Sequence, residues 1–171
     1  MTNAKEITCT QTLAISTHRA FPRDLNNYGF MFGGKLLELL DDVASISVSR
    51  FTRLPSVTAS IDQFNFIQSF QKDDSVCIET YISGAGKRSV EVFAKIIGEA
   101  LFTEERYIGA TAFMTFVLQD RKTVDALLVP ETKEQLAVTS GYPRRHELRK
   151  QELADHKALF AQLDTQLPWT N

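Results

Sequence analysis

"FGGKLLELLDDVASISVSRF", residues 32–51, is the stretch on which the fold turns. Leu36, Leu37, Leu40, Val43, Ala44 and Val48 recur at spacings of three and four, the period of an α-helix, and Gly33 and Gly34 stand at its start. The run is apolar around most of its circumference, so the reading is one helix over Phe32–Phe51, enclosed by the rest of the protein. Asp41 and Asp42 interrupt it. Glycines ahead of a helix leave unpaired N–H groups and the positive end of the helix dipole facing whatever sits there, which favours a developing negative charge. The stretch therefore offers both an anion site and a carboxylate. Helical geometry puts Asp41 on the face of Leu37 and Gly34, whereas Asp42 follows Glu38 and precedes Ile46, so Asp42 reads as a solvated or ion-paired residue.

Working outward, Thr8–Thr17 is rich in β-branched residues and reads as a strand feeding a long loop marked by Pro22, Asn26, Asn27 and Gly29. After the helix, Val57–Ile67, Ser75–Gly84, Ser89–Gly98 and Tyr107–Leu118 read as meandering antiparallel strands. Within SVEVFAKII, Val90, Val92, Ala94 and Ile96 share one face and Glu91, Phe93 and Lys95 the other, so one side packs on a core and the other is mixed. Strand, loop, buried helix and four strands make an α+β layout in which a sheet wraps one long helix. The charged segment RRHELRKQELADHKALFAQL, residues 144–163, then reads as a surface helix, its apolar side formed by Leu148, Leu153, Leu159, Phe160 and Leu163. The division expected is one domain over residues 1–135 and a C-terminal helical extension over residues 136–171.

Composition narrows the function classes. A chain of 171 residues with a formal charge of -2 suits one globular core and gives no electrostatic reason to propose nucleic acid as a partner. No signal pattern and no apolar run of the ~20 residues that span a membrane is present, so a soluble, cytoplasmic protein is expected, with no membrane partner. Cys9 and Cys77 have no CxxC pairing, and packed, reduced thiols are the default. His18, His146 and His156 lack metal-ligand spacing, and neither metal nor cofactor is expected.

The run DLNNYGFMFGGKLLELLD, residues 24–41, resembles the N-x-x-G-x-x-F-G-G-x-L-x-x-x-x-D pattern of hotdog-fold acyl-CoA thioesterases. It is similar to the branch containing bacterial acyl-CoA hydrolases and the brain-type cytosolic acyl-CoA hydrolase. Similarity continues through SVTASIDQFNF, GKRSVEV and ALLVP, covering roughly Thr8 to Pro130. The resemblance implies a hotdog subunit paired with a second copy through its sheet edge, active sites at that interface, and homodimers assembling as a trimer of dimers, a hexamer. It carries the family's active-site asparagine onto Asn26 and its catalytic carboxylate onto Asp41, supplied by opposite subunits, with Gly33 and Gly34 as the glycine pair. Arg88 stands where the family usually has Thr, Ser89 being retained, and FIQS and QKDD replace the usual F-x-x-P and Gly-Asp turn, which puts hydroxyl and CoA-loop contacts in question.

Thioester hydrolysis needs a nucleophile and stabilisation of the oxyanion. Asp41 can activate water, with direct attack through a mixed anhydride as the alternative; Asn26 can orient water or polarise the carbonyl, and the Gly33-Gly34 helix start can hold the oxyanion. An alkylthiolate leaves readily, which suits a motif without histidine. Lys87, Arg88, Ser89 and Phe66 are candidates for contacts to acyl-CoA, and Arg144, Arg145, Arg149 and Lys150 read more simply as a solvated helix face. The expected activity is release of free fatty acid and CoA from acyl-CoA. A hotdog protein that binds acyl-CoA without hydrolysing it is the alternative, and a dehydratase lacks its usual histidine here.

Overall fold

The computed structural model describes residues 5–166, so the closing LPWTN lies outside the described residues. The N-terminal run is not the single strand expected over Thr8–Thr17. It divides into β1 (Lys5–Thr8), a one-turn helix α1 (Cys9–Thr12) and β2 (Ala14–Arg19). A capping box makes the break: the Gln11 N–H donates to the Thr8 hydroxyl at 3.2 Å, and the Thr8 N–H donates to the Gln11 side chain at 2.9 Å. Threonine followed three residues later by glutamine thus overrides the β-branched composition.

The long helix α2 spans Gly33–Thr52, within one residue of its expected bounds, and stops where Arg53 turns left-handed at φ 55°. It is followed by β3 (Ser56–Phe66), β4 (Ser75–Ala85), β5 (Ser89–Ala100), β6 (Glu105–Leu118) and β7 (Ala126–Val129). A five-stranded antiparallel sheet in the order β2-β4-β5-β6-β3 curves around α2, and β1 pairs in parallel with β7 to its side. This is the expected α+β hotdog arrangement. Leu36, Leu40, Val43, Ala44, Val48 and Phe51 are buried against inward-facing Val90, Val92, Ala94, Ile96, Ala112 and Met114, the alternation read in SVEVFAKII. Ser47 is the one polar residue of α2 buried at that seam, and its hydroxyl is satisfied by the Thr80 hydroxyl at 2.7 Å and the Thr80 carbonyl at 3.0 Å. The helix is nevertheless not covered all round. Glu38, Asp42, Ser45 and Ile46 face outward in the single chain, because the sheet wraps only one side of it.

The outer face of the sheet is where the structure departs most from expectation. Two helices cover it, α3 (Lys133–Ser140), which runs across residue 135, and α4 (Tyr142–Phe160). The apolar residues Leu148, Leu153, Leu159 and Phe160 point outward, while Arg145 and Arg149, read as solvated, turn in. The reason is Glu91, which is fully buried on that face. Its carboxylate accepts from Arg145 at 2.8 Å, Arg149 at 2.7 Å and Ser83 at 2.7 Å, and Arg149 reaches on to Asp62 at 3.0 Å. A buried carboxylate demands cations, so the charged face of α4 is selected over its apolar one. Arg145 also lies over the Phe113 ring, 3.9 Å from its centroid, and Gly84 leaves room for the Tyr142 ring to seat on β4. Phe93 and Phe113 belong to this second, outer cluster with Cys9 and Tyr81.

Removing the central carboxylate would leave Arg145 and Arg149 facing each other without their shared partner. The expected cost of Glu91→Ala is about 3–5 kcal/mol, read as a lower denaturation midpoint in urea. A loss no larger than that of an exposed carboxylate such as Glu38→Ala would show that α4 is held some other way.

Candidate active site

Two stretches of chain, the loop from β2 into α2 and the end of β3, build one cleft. The loop after β2 leaves the sheet at Ala20, passes through a single 3-10 turn at Pro22–Asp24, and returns to open α2 at Gly33. Within it the Asn26 side-chain oxygen accepts from the N–H groups of Tyr28 at 2.9 Å and Phe30 at 3.2 Å, closing a turn that Gly29 completes at φ 82°. The Asn26 oxygen is thereby occupied, and its NH2 is the free end. No side chain caps the first turn of α2, whose N-cap is Phe32. The N–H groups of Gly33 and Gly34 are thereby left free, while the Lys35 N–H donates to the Phe32 carbonyl at 2.9 Å.

Asn26, Gly33, Phe66 and the segment Ile67–Phe70 enclose a cleft of about 380 Å³. Phe66 is not core. It is 62% exposed, its ring stands over Gly33 and against Phe64 at 4.4 Å, and it forms the apolar wall of that cleft. Gly34 sits just outside, backed by the Phe32 ring.

Asp41 is elsewhere. It lies eight residues beyond Gly33, or about 12 Å along the axis at the rise of an α-helix, so one chain does not bring it to Asn26. Its Oδ1 accepts a 2.6 Å hydrogen bond from the Thr58 hydroxyl on β3, and its second oxygen remains available. Thr58 is a residue the sequence reading passed over. Alternation shows which face of a strand a threonine occupies, and not which residue 17 positions away it meets. Asp42 is exposed, as expected for a solvated acid. Lys87 and Arg88 lie exposed on the β4–β5 turn with Ser89 at the start of β5, away from the Asn26 cleft. Among the described residues no three His, Cys, Asp or Glu side chains come together in a way that could hold a metal ion, and no helix is long and apolar enough to cross a membrane.

Two buried aspartates, neither of them visible as site residues in the sequence, hold the walls of the cleft. Asp24 Oδ2 accepts from His18 Nε2 at 2.9 Å and from the Phe21 N–H at 3.0 Å, and the Asp24 carbonyl accepts from the Phe32 N–H at 2.8 Å, pinning both ends of the Asn26 loop. Asp74 does the same for the opposite wall, accepting from the Gln71 N–H at 2.7 Å and the Tyr107 hydroxyl at 2.6 Å. The walls are also joined directly, Met31 N–H to the Phe70 carbonyl at 2.9 Å.

Comparison with known proteins gives the family of this fold. Residues 28–100 match the family model of the thioesterase superfamily. The chain is 42% identical to the uncharacterized acyl-CoA thioester hydrolase YkhA of Bacillus subtilis, over 94% of its own length and 95% of that protein. The chain is a member of the thioesterase superfamily, in its acyl-CoA hydrolase branch. The human cytosolic acyl coenzyme A thioester hydrolase is 30% identical over 69% of the chain, a match spanning 32% of that longer protein. Among solved structures, an acyl-CoA hydrolase from Bacillus cereus superposes with a TM-score of 0.88 at 36% identity, covering 94% of this chain and 99% of that one. An acyl-CoA hydrolase from Staphylococcus aureus in complex with butyryl coenzyme A and coenzyme A superposes with a TM-score of 0.86 at 26% identity, covering 91% and 97%. Structures of the Staphylococcus enzyme also exist with a single aspartate, threonine or asparagine changed to alanine. A hexameric acyl-CoA thioesterase superposes with a TM-score of 0.83 at 29% identity, covering 88% of this chain and 98% of that one.

The Asp24 clamp has a pH signature. Burial pushes its carboxyl up, but the hydrogen bonds from His18 and the Phe21 N–H outweigh it and hold the carboxyl below the usual range. A carboxyl lowered in the folded state adds stability above its unfolded pKa of about 3.9 and loses that contribution as pH falls through the folded value. Asp24→Asn is therefore expected to melt earlier than the unaltered protein near neutral pH, with the gap closing as melts are taken below about pH 4. A gap that stays constant with pH would show that the carboxylate charge is not what holds the loop.

Proposed function

We propose that the protein hydrolyses acyl-CoA to a free carboxylic acid and CoA, with Asp41 as general base and Asn26 supplied across a homodimer. The observation that carries the reading is the split of one motif. The Asn26 cleft opens at the uncapped start of α2, while Asp41, the only acid of that helix held by a hydroxyl of the facing strand, sits about 12 Å further on. On the outward side of the same helix Glu38, Asp42, Ser45 and Ile46 are exposed in the single chain and Leu37 is half-buried. A second copy lying against that face brings its own Asn26 cleft to Asp41, and two such sites form per dimer.

In this arrangement the Thr58 hydroxyl fixes one oxygen of Asp41, and the other takes a proton from water as the water oxygen bonds to the thioester carbon. The carbonyl oxygen becomes an oxyanion facing the free N–H groups at Gly33 and Gly34 and the Asn26 NH2. Collapse breaks the carbon–sulfur bond, and the proton on Asp41 returns to the leaving thiolate. Phe66, Phe30 and Leu36 line the apolar side of the cleft, which suits the pantetheine or acyl arm. Lys87, Arg88 and Ser89 are assigned to CoA contacts. Features of two relatives support the reading: in the Staphylococcus enzyme a bound butyryl coenzyme A and alanine variants at the same three residue types as Asp41, Thr58 and Asn26, and in the other a hexameric assembly consistent with a trimer of dimers.

Thiol release from short, long and aromatic acyl-CoAs tests this. Asp41→Ala is expected to lower kcat by about 100-fold or more with the fold retained by circular dichroism, Thr58→Ala by a smaller factor, and Asp42→Ala to leave it within about twofold. No thiol release by the unaltered protein from any acyl-CoA that it binds would make it a binding module and overturn the reading.

A further inference from the structure

The pairing of β3 with β6 shifts between Thr58 and Ser60 and again between Ile61 and Gln63, so Ala59 and Asp62 are extra residues with no partner opposite. The first shift decides which way Thr58 faces. Ile61 stands opposite the buried Met114, on the inner side of the sheet. Counting back from it without a shift would set Thr58 opposite Val117 and, by strict alternation, turn it to the outer face, away from Asp41. The extra residue at Ala59 instead sets Thr58 opposite the buried Phe116, and its hydroxyl reaches Asp41 at 2.6 Å. One carboxylate on the outer face holds β3 in that register. Asp62 Oδ1 accepts from the Ser60 hydroxyl at 2.6 Å, and its Oδ2 accepts from the Thr115 hydroxyl at 2.6 Å. Ser60 and Thr115 lie opposite each other and are the first pair after the bulge. Asp62 therefore ties the two strands together next to Ala59, and a slip of one residue would break both bonds. With only 15% of its side chain exposed, that carboxylate needs a cation, and Arg149 of α4 donates to the same Oδ2 at 3.0 Å.

We propose that Asp62 is a positioning residue for the reaction: it holds the bulge that aims Thr58 at Asp41, and Arg149 makes that aim depend on the docking of α4. The inference rests on the hydrolase reading above for the role of Asp41. Asp62 lies on the opposite face of the sheet from Asp41, so it acts only through Thr58. An ion pair that merely anchored α4 would need no hydroxyl partners. Two hydroxyls, one from each strand, on a single carboxylate are the arrangement that fixes register. A bulge is also the ordinary means by which a strand re-aims one side chain without disturbing its neighbours in the core.

A double-mutant cycle on thioester turnover by the full chain separates positioning from general support of the fold. Asp62→Asn, which keeps the size of the side chain, is expected to lower kcat about fivefold or more with KM changed by less than about twofold. Thr115→Val, which removes one of the two clamping hydroxyls and keeps the shape, is expected to show the same pattern at smaller size. In a Thr58→Ala background both changes are expected to cost less than about twofold, since no hydroxyl is left to aim. Equal losses in the two backgrounds, or an unchanged kcat in Asp62→Asn, would overturn the proposal. A second readout needs no turnover. In protein carrying 13C-labelled aspartate, the Asp41 carboxyl signal, identified by its loss in Asp41→Ala, is expected to move in Asp62→Asn in the direction it moves in Thr58→Ala. A signal that moves in Thr58→Ala alone would overturn the proposal as well. No thiol release from the unaltered protein, together with an Asp41 signal that responds to both changes, would count against the hydrolase reading and leave the Asp62 clamp standing.

Discussion

The burial of one side of α2 in the concave face of the sheet is the constraint on which the rest depends. Leu36, Leu40, Val43, Ala44, Val48 and Phe51 lock the helix axis against the four strands that follow it in sequence. With the axis set, Gly33 must open at the rim of the sheet, where the Asn26 loop returns, and Asp41 must emerge beside Thr58 on the edge strand. The rigid element therefore carries an uncapped helix start and a carboxylate at a fixed separation, one that a single chain does not close. In the proposed mechanism a second copy, lying on the exposed side of α2, closes that separation.

The Asn26 cleft itself depends on hydrogen bonds, since its walls are loops. Asp24 and Asp74 each accept from one backbone N–H and one side chain, His18 and Tyr107, and between them secure both sides of the opening. Burial pushes the Tyr107 phenol up, with the Asp74 carboxylate adding to it, so the hydroxyl stays a donor across the physiological range. Loops with this much internal satisfaction hold a preformed cleft, so a ligand entering it would pay little for ordering them.

On the outer face the governing group is Glu91. An acid on a sheet face otherwise packed by Tyr81 of β4 and Phe93 of β5 is costly unless paired, and Arg145 and Arg149 supply two guanidinium partners from successive turns of α4. That pairing turns the helix so that Arg145 and Arg149 face the sheet.

The sequence by itself determined the long helix to within a residue, the four antiparallel strands, the inward face of β5 and the resemblance that points to Asn26, Asp41 and the glycine pair. These are local or periodic properties: three-four spacing, alternation, and turn chemistry within a few residues. Tertiary structure decided the rest. The Thr8 capping box cut a strand in two, because a reciprocal hydrogen bond outweighs β-branched composition. Thr58, Asp24 and Asp74 gained their roles from partners brought near only by folding. The face that α4 presents was reversed by one buried carboxylate more than fifty residues away, and the energy of an unpaired buried charge is a property of the site where it is buried, which no window of sequence contains.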